Sequence, residues 1–243
     1  MPPPEDMAAG VEQALEAFSN GKPVLVFDSD FREQETDLLF PASSAHPSAI
    51  RQLRKDCGGL LFLAIGNEVG SGFGLPWLQD LHTNPMLVKE NPILDHLITN
   101  DLQYDARSAF TLSLNHRDTF TGITDRDRSL TTRRFSELWM EMESGNMANE
   151  ERMKALGVEF RTPGHIPVCR ESNGGLTNRQ GHTELAVAVA RMAGLPPIVI
   201  GAEMLQPDGD SALPVEDARK YGEKFGIPFL SGKDILDASG LGG

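Results

Sequence analysis

Hydrophobic positions along the chain follow two periods. Val11, Leu15 and Phe18 recur at intervals of three or four residues and are followed by Gly21, which predicts an amphipathic helix and its end. Short apolar runs lie between such helical segments and are typical of buried strands. These runs are found in PVLVFDSD, LLFLAI, PPIVIGAEML and IPFLS.

The remaining segments divide in the same way. Further helices are predicted in HPSAIRQLRKDCGG, in RFSELWMEME, over residues 182–193 and in PVEDARKYGEKFG. The segment SAFTLSLNH alternates between apolar and polar residues, which predicts a strand with Phe110, Leu112 and Leu114 on one face. Residues 66–107 have weak periodicity and many glycines and prolines, so loops and short helices are expected there.

Strands and helices mix without strict alternation, so the predicted fold class is α+β, or mixed α/β, with mixed β-sheets packed by helices. The sequence shows no internal repeat or clear linker, and residues 1–243 are expected to form a single domain. The segments 1–10 and 236–243 are expected to be flexible tails.

Composition excludes several classes of protein. The formal net charge of -13 argues against nucleic-acid and anionic-membrane binding, which need a basic surface. The acidic, proline-rich start lacks a signal-peptide pattern and no apolar run is long enough to span a membrane, so a soluble cytoplasmic protein is expected. Cys57 and Cys169 stand far apart and outside any CxxC motif, which makes a disulfide framework or a structural zinc site a poor interpretation.

The first candidate site is the helix start RQGHTE, residues 179–184. A helix start offers unpaired N–H groups and the positive end of the helix dipole. Arg179 adds a guanidinium fork and Thr183 a hydroxyl, so the segment is typical of a phosphate-binding site, with His182 as a metal ligand or a base. The alternative is a polar helix cap in which Glu184 interacts favourably with the dipole.

The second candidate is DSDFREQETD, residues 28–37, directly after the apolar run VLVF. It places five carboxylates around Arg32, and these repel one another unless a cation or solvent intervenes. Oxygen-rich clusters suit Mg²⁺ or Mn²⁺. Residues 29–37 are therefore expected to be mobile without ligand. The alternative is a solvated acidic loop.

Three weaker signals complete the set. His165 stands in the Pro-Gly segment FRTPGHIP, which predicts a rigid turn that holds either a base or a polar surface histidine. Glu203 ends an apolar strand, where a carboxylate is costly unless it is paired or functional. The segment TFTGITDRDRSLTTRR combines hydroxyls and arginines near a glycine, and is either a phosphate contact or a charged loop with a helix cap.

Taken in order, these motifs resemble those of 3,4-dihydroxy-2-butanone 4-phosphate synthase, most closely its single-domain archaeal form. The resemblance covers most of residues 11–235. It runs through DSDFREQETD, RKDCGGLLFLAI, FTLSLNHRDTFTGITDRDRSLTTRR, FRTPGHIPVCR, NRQGHTELAVAVARMAGL and AEML. Phe62 and Ala202 stand where a cysteine or another small residue is expected in relatives, so altered packing and unchanged chemistry are expected.

The resemblance implies a lyase of riboflavin biosynthesis that converts D-ribulose 5-phosphate to 3,4-dihydroxy-2-butanone 4-phosphate and formate. It implies a divalent metal, Mg²⁺ or Mn²⁺, and a homodimer with the site near the interface. The implied metal ligands are Glu33 and His182. The implied substrate-binding residues are Arg32, Asp37, Arg179, Thr183 and, from the same or a partner subunit, Thr121. The implied catalytic residues are Glu35, which also adjoins the sugar, His165 and Glu203.

Two other functions fit the same parts. One is a different metal-dependent phosphosugar enzyme, such as an isomerase or a phosphatase. The other is a phosphosugar-binding module without catalysis, which the presence of every motif acid and histidine disfavours. Release of formate from ribulose 5-phosphate separates the lyase from both.

Overall fold

The protein is described by a computed structural model, which covers residues 5–98 and 101–242. Its strands are β1 (Val24–Phe27), β2 (Thr36–Pro41), β3 (Phe62–Ile65), β4 (Leu114–His116), β5 (Phe160–Ile166), β6 (Val168–Arg170), β7 (Ile198–Glu203) and β8 (Phe229–Ser231). Its helices are α1 (Glu5–Ser19), α2 (Pro47–Gln52), α3 (Asn67–Gly72), α4 (Leu78–His82), α5 (Pro85–Glu90), α6 (Ile93–His96), α7 (Asp125–Ser144), α8 (Asn149–Glu159), α9 (His182–Met192), α10 (Val215–Phe225) and α11 (Gly232–Ala238).

The described strands form two sheets. A six-stranded sheet has the order β6-β3-β7-β2-β1-β8, and β4 pairs with β5 in a separate two-stranded sheet. In the large sheet β1 and β8 are parallel, as are β3 and β6, whereas β1–β2, β2–β7 and β3–β7 are antiparallel. This mixed arrangement with helices on both faces confirms the predicted fold class.

Helices cover both faces of the large sheet, which explains why strands β1 and β3 are apolar on every residue. Leu25 and Leu63 point to one face and pack with residues of α2 and α7. Val26 and Ala64 point to the other face and pack with α1, α9 and α11. Phe62 and Ala202 are both buried in these cores, as their strand positions predict.

Most predicted elements are present, and the differences have local causes. The helix predicted after Pro47 continues as a π-helical turn over Leu53–Cys57 before Gly58 ends it with a φ of 92°. The strand predicted over residues 108–116 is shorter, because only Leu114–His116 pairs with β5, while Phe110 forms an isolated bridge to Cys169. Strand β2 and helix α8 were not predicted.

Helical structure extends into both segments expected to be tails. Helix α1 begins at Glu5 and α11 ends at Ala238, while residues 1–4 and 243 lie outside the described part of the chain. Across residues 5–98 and 101–242, no helix combines the length and apolar character needed to cross a bilayer. Cys57 and Cys169 are buried and unpaired, the latter in the edge strand β6.

Candidate active site and metal centre

The acidic segment after β1 is folded back by one of its own carboxylates. Asp28 is 3% exposed, and its two oxygens accept the backbone N–H groups of Glu33 at 2.8 Å and Glu35 at 3.1 Å. Charge-assisted hydrogen bonds of this kind stabilise a buried carboxylate. Asp37, the last residue of the segment expected to be mobile, is 1% exposed in strand β2, so the expectation that it belongs to a solvated loop is wrong.

Sheet register brings two distant carboxylates together. Asp37 in β2 lies opposite Glu203 in β7, at the same end of the large sheet. Helix α9 begins here with His182, whose Nδ1 lies 2.7 Å from Oδ2 of Asp37 across 145 residues of sequence. Asp37 thus fixes the orientation of the imidazole, in the manner of the carboxylates that orient metal-bound histidines.

The other nitrogen of His182 points at the acidic segment. Its Nε2 lies 3.2 Å from Oε2 of Glu33 and 4.0 Å from Oε2 of Glu35. Nε2 is buried and has no well-directed hydrogen bond among the described residues. One ligand atom from each of these three residues, called the metal group below, lies within 4.8 Å of the others. Two carboxylates that face an imidazole nitrogen without a hydrogen-bond partner suit a divalent cation. These three residues therefore fit the implied metal.

The electrostatics of the metal group favour a positive charge among its carboxylates. Burial by itself lowers the pKa of His182, but the carboxylates of Asp37 and Glu33 raise it well above its usual value. The His182 imidazole lowers the pKa of Glu33. Burial raises the pKa of Glu35. Protonation of His182 and binding of a divalent cation at this point would therefore compete with each other.

The backbone of Gly59 and Leu60, just before strand β3, holds Glu203 in place. Its Oε2 accepts the N–H of Leu60 at 2.7 Å. A Cβ at the preceding Gly59 would lie 2.5 Å from this oxygen and 2.6 Å from the Glu203 carbonyl, so only glycine allows the approach. Burial raises the pKa of Glu203 to about 7, with the Asp37 charge acting in the same direction. A carboxyl with this pKa takes up and releases protons near neutral pH, as a general acid or base must.

Arg179 has carboxylate partners on two sides. It donates to Glu184, which is fully buried and also accepts the N–H of Ser172, and to Oδ2 of Asp105 at 2.8 Å. Glu184 therefore pairs with Arg179 inside the protein instead of serving as an exposed dipole partner. A Cβ at Gly181 would collide with the Arg179 guanidinium. The glycine of the motif thus makes room for the arginine.

The other residues expected to bind the substrate stand around Arg179. Thr183 is 4% exposed in the first turn of α9. Arg32 lies near Asp105, with Nη2 3.4 Å from Oδ2, and its guanidinium faces the ring of Tyr104 at 5.4 Å. These two arginines border the metal group through Glu33, whose pKa both lower.

Thr121 and His165 form a separate cluster beside the two-stranded sheet. His165 lies in strand β5, and the turn predicted for FRTPGHIP is present only as an irregularity of that strand. Residues 162–165 lie between Arg161 and Ile166, which pair with β4 across a shift of register, and a cis bond joins Thr162 to Pro163. Nδ1 of His165 lies 3.0 Å from Nδ2 of Asn115, and the backbone N–H of Thr121 donates to Asp127 at 3.0 Å. Among the described residues, no hydrogen bond or ion pair joins this cluster to the metal group.

Comparison with known proteins identifies the family. A family model described as 3,4-dihydroxy-2-butanone 4-phosphate synthase matches residues 12–238. The chain belongs to the 3,4-dihydroxy-2-butanone 4-phosphate synthase family. A synthase of this name from Methanosarcina mazei is 41% identical over 230 residues, which are 94% of this chain and 90% of the relative. The one from Archaeoglobus fulgidus is 40% identical over 233 residues, 95% of this chain and 94% of the relative.

Solved structures of the same synthase share the fold. A crystal structure of the Candida albicans synthase superposes with a TM-score of 0.69 at 26% identity, covering 94% of this chain and 96% of that one. A crystal structure of the synthase in complex with two magnesium ions gives a TM-score of 0.70 at 22% identity, covering 94% and 95% of the two chains.

Sequence reasoning missed the residues that support the synthase motifs. Asp28 and Asn115 fold segments around motif residues, Asp127 holds the loop before α7, and Asp105 contacts both arginines. The signal for Asp127 was present, since an aspartate three residues after Thr124 follows a capping pattern. Asp105 lies 74 residues from Arg179 and has no local signal.

Proposed function

We propose that the chain converts D-ribulose 5-phosphate to 3,4-dihydroxy-2-butanone 4-phosphate and formate, with Mg²⁺ or Mn²⁺ as cofactor. The observation that carries the proposal is the convergence of Glu33, Glu35 and His182 in a chain of this family. The magnesium complex of a protein with the same fold supports the choice of metal.

Each part of the metal group has a task in this reaction. Glu33 and His182 would hold the cation, and Asp37 keeps the imidazole aimed at it through the 2.7 Å contact. When bound, the metal supplies Lewis acidity toward the sugar oxygens. Glu203, with a pKa of about 7, holds or accepts a proton at its carboxyl during enolisation, and Glu35 provides a second proton-transfer group.

The phosphate is assigned to the arginines. Arg179, Arg32 and Thr183 supply charge and donors next to the metal group, which positions the sugar over the cation. Thr121 and His165 are assigned to the same site from a second copy of the chain. This assignment is supported by the lack of any hydrogen bond or ion pair between these two residues and the metal group within the described part of one chain.

The test is an assay of formate from ribulose 5-phosphate with Mg²⁺, repeated with EDTA and then with Mn²⁺ added back. Formate that disappears with EDTA and returns with either metal supports the proposal. Phosphate release or a rearranged pentose phosphate without formate would instead indicate a phosphatase or an isomerase, and full activity in excess chelator would exclude a metal-dependent mechanism.

A further inference from the structure

Asp105 occupies the space between the two arginines assigned to the phosphate. Its Oδ2 lies 2.8 Å from Nη2 of Arg179 and 3.4 Å from Nη2 of Arg32, so one carboxylate oxygen contacts both guanidinium groups. The Asp105 side chain is 14% exposed, and those of Arg32 and Arg179 are 15% and 17% exposed. The contact is therefore largely shielded from water, where charge interactions are stronger than at an open surface.

The charges at this point already balance. Arg179 is paired with the fully buried Glu184, and Asp105 compensates Arg32. A phosphate that binds the arginines while Asp105 stays in place would add negative charge beside a carboxylate, which is unfavourable. The Nε atoms of Arg32 and Arg179 are buried and lack hydrogen-bond partners within the described residues, so both guanidiniums keep donors for another ligand.

The segment around Asp105 borders open space. Arg107 stacks on the ring of Trp77 at 3.5 Å and thereby anchors the segment just after Asp105. A cavity of about 270 Å³ lies along the contact and is lined by Asp105, Arg107 and Arg179 among others. Asp105 thus has room to leave the arginines while Arg107 stays in place.

We propose that Asp105 is an internal competitor for the phosphate site: its carboxylate binds Arg32 and Arg179, and an incoming phosphate group must displace it. This inference rests on the assignment of these arginines to the phosphate under the proposed function. A competitor of this kind lowers the apparent affinity for every phosphate ligand by the fraction of molecules in which the site is free. A bare phosphate ion then binds weakly, whereas a phosphosugar gains further contacts at the metal group.

The test is the affinity for inorganic phosphate, measured by calorimetry on the full chain. Asp105→Asn keeps the shape and removes the charge, and we expect it to bind phosphate about tenfold more tightly, which corresponds to about 1.4 kcal/mol. Asp101→Asn, in the same loop, is the matched control: Asp101 is exposed and has no ion pair among the described residues, so its variant should match the wild type. Adding Arg179→Ala to Asp105→Asn should abolish the gain.

Unchanged or weaker phosphate binding by Asp105→Asn, or no binding by any variant, would overturn the inference, as would a gain that survives Arg179→Ala. If Asp105 instead positioned the arginines, its loss would weaken binding, so the sign of the change decides. Asp105→Ala serves as the second variant if Asp105→Asn does not fold. The proposed function fails separately, when the wild type produces no formate from ribulose 5-phosphate.

Discussion

The end of the large sheet that carries the metal group and the loop beside the small sheet both hold residues assigned to catalysis, but they are built differently. In the first region strand register and a helix start bring Glu33, Asp37, His182 and Glu203 together within one chain. In the second region Thr121 is held by Asp127 and His165 contacts Asn115, and among the described residues neither forms a hydrogen bond to the metal group. The first region is therefore assembled within one chain. The second is held in place by its own contacts and, in the proposed function, completes the site of a second copy.

The largest effect is expected at the metal group. Glu33→Gln removes a charged ligand while keeping the side chain's size, and we expect kcat to fall on the order of 10³-fold and metal affinity to fall with it. The Glu33 side chain is 39% exposed, so the melting temperature should change little. Activity assays and calorimetric titration with Mn²⁺ measure both effects. Glu150→Gln, on the exposed surface of α8, is the control, and unaltered metal affinity in Glu33→Gln would remove Glu33 from the site.

The second prediction concerns which chain completes the site. His182→Ala and Thr121→Ala should each reduce formate production severely when tested alone. If the two regions meet across a dimer, refolding an equal mixture should restore about a quarter of wild-type activity, because half the dimers are mixed and each of these has one intact site. Activity that never rises above that of the separate variants would assign both regions to one chain.

The third prediction is a change in stability. Asp37 is 1% exposed and contacts His182, whose pKa it helps to raise. Asp37→Asn breaks a buried charge pair, and we expect the free energy of unfolding to fall by about 3 kcal/mol. Urea unfolding of the metal-free protein measures it, with the exposed Asp30→Asn from the same segment as the control. Equal stability of the two variants would mean that the Asp37–His182 pair contributes nothing.

The smallest effect is expected from Glu203 and depends on pH. Its pKa is about 7 in the folded protein and near 4.5 in the unfolded chain, so between these values the folded state keeps a proton that the unfolded chain has lost. The resulting stabilisation is complete below about pH 4.5 and is lost as the pH rises through about 7. Relative to Glu203→Gln, the wild type should therefore lose about 2.5 kcal/mol over this interval. Parallel pH profiles of the two proteins would contradict the raised pKa.

The sequence predicted what depends on neighbouring residues. The apolar run of β1 and the helix start at His182 were found because period and capping are local properties. Strand β2 was missed because Asp37 is a buried carboxylate, and its burial depends on a histidine 145 residues away. His165 was placed in a turn because Pro163 and Gly164 are typical of turns, whereas these two residues lie at a shift of register within strand β5.

The sequence likewise revealed the motifs of the site but not the contacts between their side chains. The motifs DSDFREQETD and RQGHTE pointed to Glu33 and His182 as metal ligands, and these two residues do lie together, with Glu35, which was expected at the sugar, beside them. The sequence did not reveal that Arg179 has two carboxylate partners, because Asp105 comes from a stretch without periodicity. Arg179→Ala would consequently leave the buried Glu184 unpaired, so it would destabilise the fold as well as affect the phosphate site.

The reactivity of the two buried cysteines can be used to measure local opening of the fold. Burial raises the pKa of Cys169 to about 12, which disfavours the reactive thiolate at neutral pH. Burial also raises the pKa of Cys57. Alkylating reagents therefore react with these thiols only when the chain opens. The labelling rate of Cys169 thus measures how often the edge strand β6 detaches. Since Cys57 lies away from that edge, at the end of its π-helical turn, two thiols on one chain distinguish fraying of the sheet from global unfolding.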